Sequence, residues 1–438
     1  MVELSQILLS VFIFLLIFSY PINYFNYEKI LIKIKLNFFD TILINILLHL
    51  TLLLFFSFFS SNIYFIFLCN LFLSAIFFLF YLKKYMYFFK KNYKLFFFFL
   101  ILCFSLFTSI AYNPLLAWDG VAHWFFKTLN FYQEQTFGNL KNVPFNYYPH
   151  LGGFVWSYFW KGSLLELEYF GRFFYIFLFL CSIFSLFDLL NKNFSTNEKI
   201  IFILIFSYFC TDAMLFAGYQ EYLIFVFFYF SSRLFILMQN STKNFDKNLF
   251  SILYLFTTYL LLWSKQEGFF YYFILYFIYI IHSNQRFFFK IVYSFLFFLL
   301  LSIFILVKIT YFGSLRFNEE ILHKELLSNY NLNILIYKIF LISKYLFISF
   351  FKYPIWLIIF FSSFFLITKT HFFYKNKFFI SYFFLIFSLF FAIYLQTSID
   401  ITHLLPLTLS RLVFQSSGFL LLIIVEFFNK INYKNLSS

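Results

Sequence analysis

Apolar runs of about 20 residues follow one another along almost the whole chain, separated by short connections. Hydrophobic residues make up 63% of the 438 residues and charged residues only 11%, whereas a soluble domain draws about a quarter of its residues from Asp, Glu, Lys and Arg. A run of this length is what an α-helix needs to cross the apolar layer of a bilayer. The sequence therefore predicts an all-α, polytopic membrane protein and excludes a water-soluble globular fold.

We expect about 13 membrane spans, with the N-terminus on the outer side. The runs lie at about 5–23, 38–58, 62–82, 95–112, 169–190, 199–217, 222–238, 249–264, 269–281, 288–309, 353–369, 378–396 and 407–428. A further run at 334–351 is interrupted by Lys338 and Lys344, which favours an interfacial helix. If the run at 334–351 does cross the membrane, one span is added and the predicted sides of the connections after it must be redrawn. The first run lacks the cleavage site of a signal peptide and is interpreted as a span.

Lysine and arginine residues gather in alternate connections between the runs and give the chain a formal charge of +14. Because positive residues favour the cytoplasmic side, we place these connections inside. The positive charge is then a consequence of topology, so the expected partner is the lipid bilayer and no nucleic acid. The stretch 113–168 falls on the outer side and holds four of the six tryptophans.

Several motifs of soluble-substrate enzymes are absent from the sequence. It has no Gly-rich phosphate loop, no His-Glu-x-x-His and no Gly-x-Ser-x-Gly. Its four cysteines lie in or beside apolar runs without Cys-x-x-Cys spacing, which predicts neither a disulfide nor a metal site. If the chain is an enzyme, its activated substrate is not a soluble nucleotide held by a Rossmann-type loop.

Asp119 follows the fourth run, where a short juxtamembrane helix would begin. Its carboxylate could cap that helix, or it could be a catalytic group at the membrane surface. On a helix, His123 and Lys127 lie about 40° and 80° round from Asp119, so the three side chains could share one outward side. Trp118 and Trp124 would be interfacial anchors in either case.

Two further outer turns carry ionisable residues. Glu221 begins a helix, where the dipole alone would stabilise a carboxylate. Asp212 lies in an apolar stretch, where an ionisable residue is costly and indicates a function. Lys265 and Glu267 share the next outer turn and are candidates for substrate binding, with a simple surface ion pair as the alternative.

The last run carries a histidine and an arginine near its outer end. Arg411 lies just inside that run, and His403 stands two turns before it. A planar guanidinium suits a lipid phosphate, so both residues are candidates for binding the phosphate or another part of the substrate. The alternative for Arg411 is snorkelling to the headgroups.

Five short motifs, all on the predicted outer face, together resemble the GT-C glycosyltransferases. They are W-D-G-x-x-x-W-x-x-K at 118–127, Y-P-x-L at 148–151, G-Y-Q-E at 218–221, S-K-Q-E-G at 264–268 and H-L-x-x-x-x-x-S-R at 403–411. The resemblance is closest to the Rgt-like bacterial branch, which is related to protein mannosyltransferases and aminoarabinose transferases. It covers about residues 111–270 and 400–415.

The resemblance implies a GT-C-like enzyme of the bacterial cytoplasmic (inner) membrane that transfers a sugar from a polyprenyl-phosphate donor to an acceptor on the outer side. Asp119 matches the family's first-loop catalytic acid, and Glu221 matches the second-loop acidic position, where many relatives have Asp. Lys265 and Glu267 match the Lys and Glu of the next outer turn. Three runs before residue 95 precede the family's usual first helix, and the second first-loop acid of some relatives is absent.

Elementary chemistry agrees with that mechanism. Displacing a lipid phosphate from an anomeric carbon needs a base for the acceptor hydroxyl, here Asp119, and positive groups for the departing phosphate. Lys127, Lys265 and Arg411 are the candidates for that charge. A single displacement would invert the anomeric centre. The residues do not identify a cofactor, although a divalent metal ion between Asp119 and Glu221 could share the work. We expect Asp119, Glu221 and Lys265 to converge on one outward cavity.

The expected organisation has three parts. They are a three-span extension at 1–94, a catalytic module at 95–310 that contains the outer loop 113–168, and a C-terminal part at 311–438 with a polar outer segment, an interfacial helix and the last spans. A lipid-linked oligosaccharide flippase or another transporter is the main alternative function, and a polysaccharide polymerase is a second one. The sugar is not identified by the sequence, and the acceptor could be a glycan, a lipid or a protein.

Overall fold

The computed structural model of the chain describes residues 4–18, 38–59, 62–80, 82, 86, 90, 93–163, 167–190, 194–211, 213–312, 332–369, 372–396 and 400–434. This described part is 87% helical and has no strand, which confirms the predicted all-α class. Because lipid offers no partner for backbone polar groups, a helix is the expected form for every apolar run. Asp212 lies outside the described residues.

The helices follow the apolar runs closely. They are α1 Leu4–Phe18, α2 Phe38–Phe59, α3 Ile63–Phe80, α4 Tyr93–Tyr112, α5 Phe126–Tyr132, α6 Leu151–Gly162, α7 Tyr169–Phe184, α8 Thr196–Cys210, α9 Glu221–Asn240, α10 Asn244–Ser264, α11 Glu267–His282, α12 Phe287–Phe312, α13 Leu332–Lys352, α14 Pro354–Lys369, α15 Phe378–Leu395 and α16 Ile401–Lys434.

Eight of these helices are long and apolar enough to cross a membrane, as a polytopic helical protein requires. They are α2, α3, α4, α9, α12, α13, α15 and α16. Four further apolar helices, α1, α7, α11 and α14, are shorter, with 10–17 residues in their apolar stretches. The predicted spans at 169–190 and 199–217 end early, at Phe184 and Cys210. The expected number of spans, 13, therefore stays a prediction.

The chain divides into two compact units at Val226 and Phe227, inside α9. In the N-terminal unit, α6 and α7 form the centre, and almost every residue of both helices is buried. The first three helices pack around them: the ring of Phe14 lies 5.1 Å from that of Phe159 and 5.3 Å from that of Phe177. The helices α1–α3 thus share the core of α6 and α7, and the predicted organisation into parts at 1–94, 95–310 and 311–438 stays a prediction.

In the C-terminal unit, α13 and α14 run past α16 in the same direction. Lys352 Nζ donates to Ser410 Oγ at 3.3 Å, and Trp356 Nε1 donates to the Val413 carbonyl at 2.9 Å. Further along, the ring of Phe365 lies 5.1 Å from the ring of Phe427. These contacts advance in one direction through the junction at Pro354, so α13 and α14 do not form a hairpin. The interfacial placement of α13 stays a prediction.

Candidate active site

Asp119 lies at the start of a helix that changes its winding. The chain has no regular structure from Asn113 to Ala117, becomes helical at Trp118, and forms a π-helical segment at Gly120–Phe125 before α5. Asp119 is half-buried, has helical backbone angles (φ −63°, ψ −37°) and makes no capping hydrogen bond through its side chain. Capping therefore does not explain this carboxylate. π-Helical segments in proteins occur frequently at functional sites.

His123 and Lys127 are both buried, so they do not share an exposed side with Asp119. Lys127 Nζ donates to the carbonyl oxygens of His123 at 2.8 Å and Phe145 at 2.7 Å. The His123 ring stacks on the Tyr148 ring, with centroids 4.4 Å apart and planes at 17°. A π-helix has more residues per turn than an α-helix, so His123 and Lys127 do not lie at the angles from Asp119 that an α-helix would give. Binding of a donor phosphate by Lys127 stays a prediction, and the ammonium joins two parts of the connection between α4 and α6.

Arg172 ties the Asp119 segment to the segment before Glu221. This fully buried arginine binds Glu168 with two hydrogen bonds, Nε to Oε1 at 2.9 Å and Nη2 to Oε2 at 2.8 Å. Its remaining donors reach the carbonyl oxygens of Pro114 at 2.7 Å and Phe216 at 2.5 Å. A planar guanidinium can satisfy several acceptors at once, and here it holds two loops that are distant in sequence. We call Arg172, Glu168 and the two bound carbonyl groups the Arg172 clamp.

The same two segments also meet directly. The Ala117 amide donates to the Ala217 carbonyl at 3.2 Å. A Cβ atom on residue 120 would lie 2.3 Å from that carbonyl oxygen, so only glycine fits at Gly120. Asp119 and Glu221 are therefore carried by neighbouring segments of the N-terminal unit, and their membership of one site stays a prediction.

Glu221 is fully buried at the first residue of α9, beside a buried glutamine. Gln220 Nε2 donates to the Tyr175 hydroxyl at 3.3 Å, and its Oε1 has no hydrogen-bond partner. A Cβ atom on residue 152 would lie 1.9 Å from that Oε1, so Gly152 permits the approach of α6. An unpaired buried amide oxygen is costly. Its presence in a native structure calls for an explanation, and a functional role is one such explanation.

Burial raises the pKa of Glu168 above its ordinary value, and the nearby Arg172 opposes this shift without cancelling it. Glu168 stands just before α7. The desolvation of the carboxylate outweighs the attraction of its partner because a buried ion pair loses hydration on both sides.

In the C-terminal unit, Lys265 and Glu267 form an ion pair at the turn between α10 and α11. Lys265 Nζ lies 3.0 Å from Glu267 Oε1, and the two side chains are 6% and 23% exposed. The pair predicted as an alternative is therefore present, but it is largely buried and not a surface pair. Glu267 Oε2 has no hydrogen-bond partner, so one carboxylate oxygen is left for another donor.

The N-terminal part of α16 lies close to this ion pair. The Tyr271 hydroxyl, one turn after Glu267 on α11, donates to Gln415 Oε1, one turn after Arg411 on α16, at 3.4 Å. The Tyr394 hydroxyl lies 2.7 Å from Thr408 Oγ1, also on α16. Arg411 is half-buried, whereas His403 is exposed one residue after Thr402. The C-terminal unit thus brings Lys265, Glu267 and Arg411 into one polar neighbourhood but leaves His403 at its surface.

The predicted convergence of Asp119 and Glu221 with Lys265 concerns residues of different units and stays a prediction. The same holds for a metal ion. Among the residues that the structure describes, no three His, Cys, Asp or Glu side chains are grouped as metal ligands. A Mg²⁺ ion is often held by one or two carboxylates together with substrate phosphates. Asp119 and Glu221 are chemically suited to that arrangement.

Sequence reasoning missed Arg172, Glu168 and Gln220. An available indication was that Arg172 falls inside the apolar run 169–190, where an ionisable residue indicates a function or a buried partner. Its backbone partners lie 44 and 58 residues away in the chain, and no local pattern encodes such contacts. Gln220 was visible only as one letter of G-Y-Q-E.

No protein-family model, curated protein or solved structure matches this chain. The resemblance to GT-C glycosyltransferases therefore rests on the motifs and their order.

Proposed function

We propose that this chain is a membrane glycosyltransferase that moves a sugar from a polyprenyl-phosphate donor to an acceptor hydroxyl, with Asp119 as the base. The observation that supports this most is the joining of the Asp119 and Glu221 segments through Arg172 and the Ala117–Ala217 hydrogen bond. The buried Arg172 joins two segments that lead, five residues further on, to acidic residues about 100 positions apart in the sequence. Helix packing alone does not require a carboxylate close to each of the two segments that Arg172 joins.

The proposed reaction is a single displacement. Asp119 accepts the proton of the acceptor hydroxyl, the hydroxyl oxygen forms a bond to the anomeric carbon, and the bond from that carbon to the phosphate oxygen breaks. The polyprenyl phosphate leaves with the bonding electron pair. Lys265 and Arg411, which lie on contacting elements of the C-terminal unit, are the proposed partners of its negative charge.

Glu221 is the proposed second acid. It is fully buried at the positive end of α9, where a carboxylate is favoured. A divalent cation bound by Asp119 and Glu221 would supply further charge for the phosphate. The chain's own residues remain responsible for removing the acceptor proton and for orienting the acceptor.

Membranes that contain the chain, supplied with a labelled polyprenyl-phosphate sugar and an acceptor extract, test the proposal. We expect sugar transfer with inversion at the anomeric carbon, in contrast to membranes without the chain. Retention of configuration would refute the single displacement, and absence of transfer with every polyprenyl-phosphate sugar tried would refute the function.

A further inference from the structure

Trp118 differs from every other tryptophan in the chain. Its side chain is 67% exposed, and the other five are buried, with exposures between 0% and 8%. An exposed indole is a large apolar surface that usually requires an explanation when it is fixed in place. This one directly precedes Asp119, the proposed base.

Two perpendicular rings fix the indole of Trp118. Its centroid lies 5.4 Å from the His123 ring, with planes at 77°, and 6.0 Å from the Phe145 ring, with planes at 76°. Edge-to-face contacts of this kind are favoured between aromatic rings. His123 is itself held between Phe145, at 4.3 Å, and Tyr148, at 4.4 Å. Trp118 is therefore exposed but braced.

The position of the Phe145 ring depends on an unfavourable backbone conformation. Phe145 has a φ of +51°, a left-handed conformation that is unfavourable for a bulky side chain. The buried ammonium of Lys127 holds the Phe145 carbonyl at 2.7 Å. Strain that is maintained by a buried charge is typical of functional positions. Here it places the Phe145 ring against both Trp118 and His123.

We propose that Trp118, braced by His123 and Phe145, is a stacking platform for a pyranose ring of the acceptor. The apolar C–H face of a pyranose can lie on the electron-rich face of an indole, and its hydroxyls can donate to a neighbouring carboxylate. Asp119, the next residue in the chain, is the carboxylate that the proposal assigns to this hydrogen bond. This proposal rests on the proposed function and commits it to a glycan acceptor, as opposed to a protein or a sugar-free lipid.

The competing occupant of the exposed indole is the lipid headgroup region, where tryptophans commonly anchor membrane proteins. The two occupants make opposite demands on residue 118. A lipid anchor needs an apolar side chain at the membrane surface and no precise orientation. A sugar platform needs an aromatic face in a fixed orientation, and therefore needs the brace as well.

Fluorine NMR of the full chain, labelled with fluorotryptophan in lipid nanodiscs, separates the two. Trp118→Phe identifies the resonance of residue 118 by its loss. We expect methyl glucopyranoside, methyl mannopyranoside or methyl galactopyranoside to shift that resonance saturably and to leave the five buried tryptophans unchanged. Sorbitol, an open-chain polyol, is the matched control and should produce no shift. If no pyranoside shifts the resonance but spin-labelled lipid broadens it, the platform is refuted.

A second variant guards against loss of folding. Phe145→Gly removes the brace ring and also removes the left-handed strain, since glycine adopts this conformation freely. We expect this variant to fold and to bind the pyranoside about fivefold more weakly, the size of an aromatic contact. Unchanged affinity would contradict the role of the brace.

The kinetic arm distinguishes this proposal from the function on which it rests. With a glycan acceptor, Trp118→Leu should raise the KM for the acceptor about fivefold and leave the KM for the donor unchanged. A raised KM for the donor alone would refute the platform while leaving the glycosyltransferase intact. Pyranoside binding without any transfer would support the platform and refute the function.

Discussion

Arg172 and Glu168 form a two-hydrogen-bond ion pair, one turn apart at the start of α7, with the guanidinium fully buried. The same guanidinium binds the carbonyl oxygens of Pro114 and Phe216. One side chain thus holds the segments that lead to Asp119 and to Glu221. The stability of this clamp and the geometry of the proposed site should change together.

Replacing Arg172 with leucine should destabilise the chain by about 3–5 kcal/mol, because it leaves a largely buried carboxylate without its partner. Thermal unfolding in detergent measures this. Lys161→Gln is the control: Lys161 lies 3.9 Å from Glu134 with side chains 25% and 42% exposed, and a surface pair contributes about 0–1 kcal/mol. Equal effects of the two substitutions would contradict the clamp.

The close contact of Gly152 with Gln220 predicts strong coupling between these residues. Gly152→Ala places a methyl group where Gln220 Oε1 lies, and overpacking of this kind costs about 1–3 kcal/mol. Gln220→Ala should remove the obstacle, so the double variant should be more stable than Gly152→Ala alone. Additive losses in a double-mutant cycle would show that Gln220 does not set the spacing of α6.

Glu168 predicts a dependence of stability on pH. Because burial raises its pKa in the folded state, its protonated form is favoured by folding. Its stabilising contribution is fully present below the ordinary pKa of 4.5 and is lost as the pH rises through the raised folded value. Glu168→Gln should therefore flatten the fall in unfolding temperature over that range. A wild-type stability that rises relative to Glu168→Gln over the same range would show that the attraction of Arg172 dominates instead.

The class of fold was accessible from the sequence for a simple physical reason. Because lipid offers no hydrogen-bond partners, each apolar run must pair its backbone amide and carbonyl groups within itself, as an α-helix does. The helices accordingly follow the predicted runs. Lys127 shows where such reasoning ends. Its charge predicted an outward position, but its ammonium binds the carbonyl of Phe145, 18 residues away. Burial among backbone carbonyls depends on the folded loop and cannot be read from local spacing.

The ion pair of Lys265 and Glu267 should be more strongly coupled than a surface pair. A double-mutant cycle with Lys265→Met and Glu267→Gln should give a coupling above about 1 kcal/mol, because Lys265 is almost fully buried. The cycle of Lys161 and Glu134 is the control and should give less. If the two double-mutant cycles give the same coupling energy, burial does not strengthen the ion pair of Lys265 and Glu267.

The most direct test of the account is sugar transfer from a labelled polyprenyl-phosphate donor by Asp119→Asn. Asparagine keeps the shape of the side chain but cannot accept the acceptor proton, so we expect transfer to fall by about 10²–10⁴-fold. Glu134 is an exposed acid of the same connection between α4 and α6, and Glu134→Gln is the matched control that should retain wild-type transfer. Equal transfer by Asp119→Asn and the wild type would contradict the central claim.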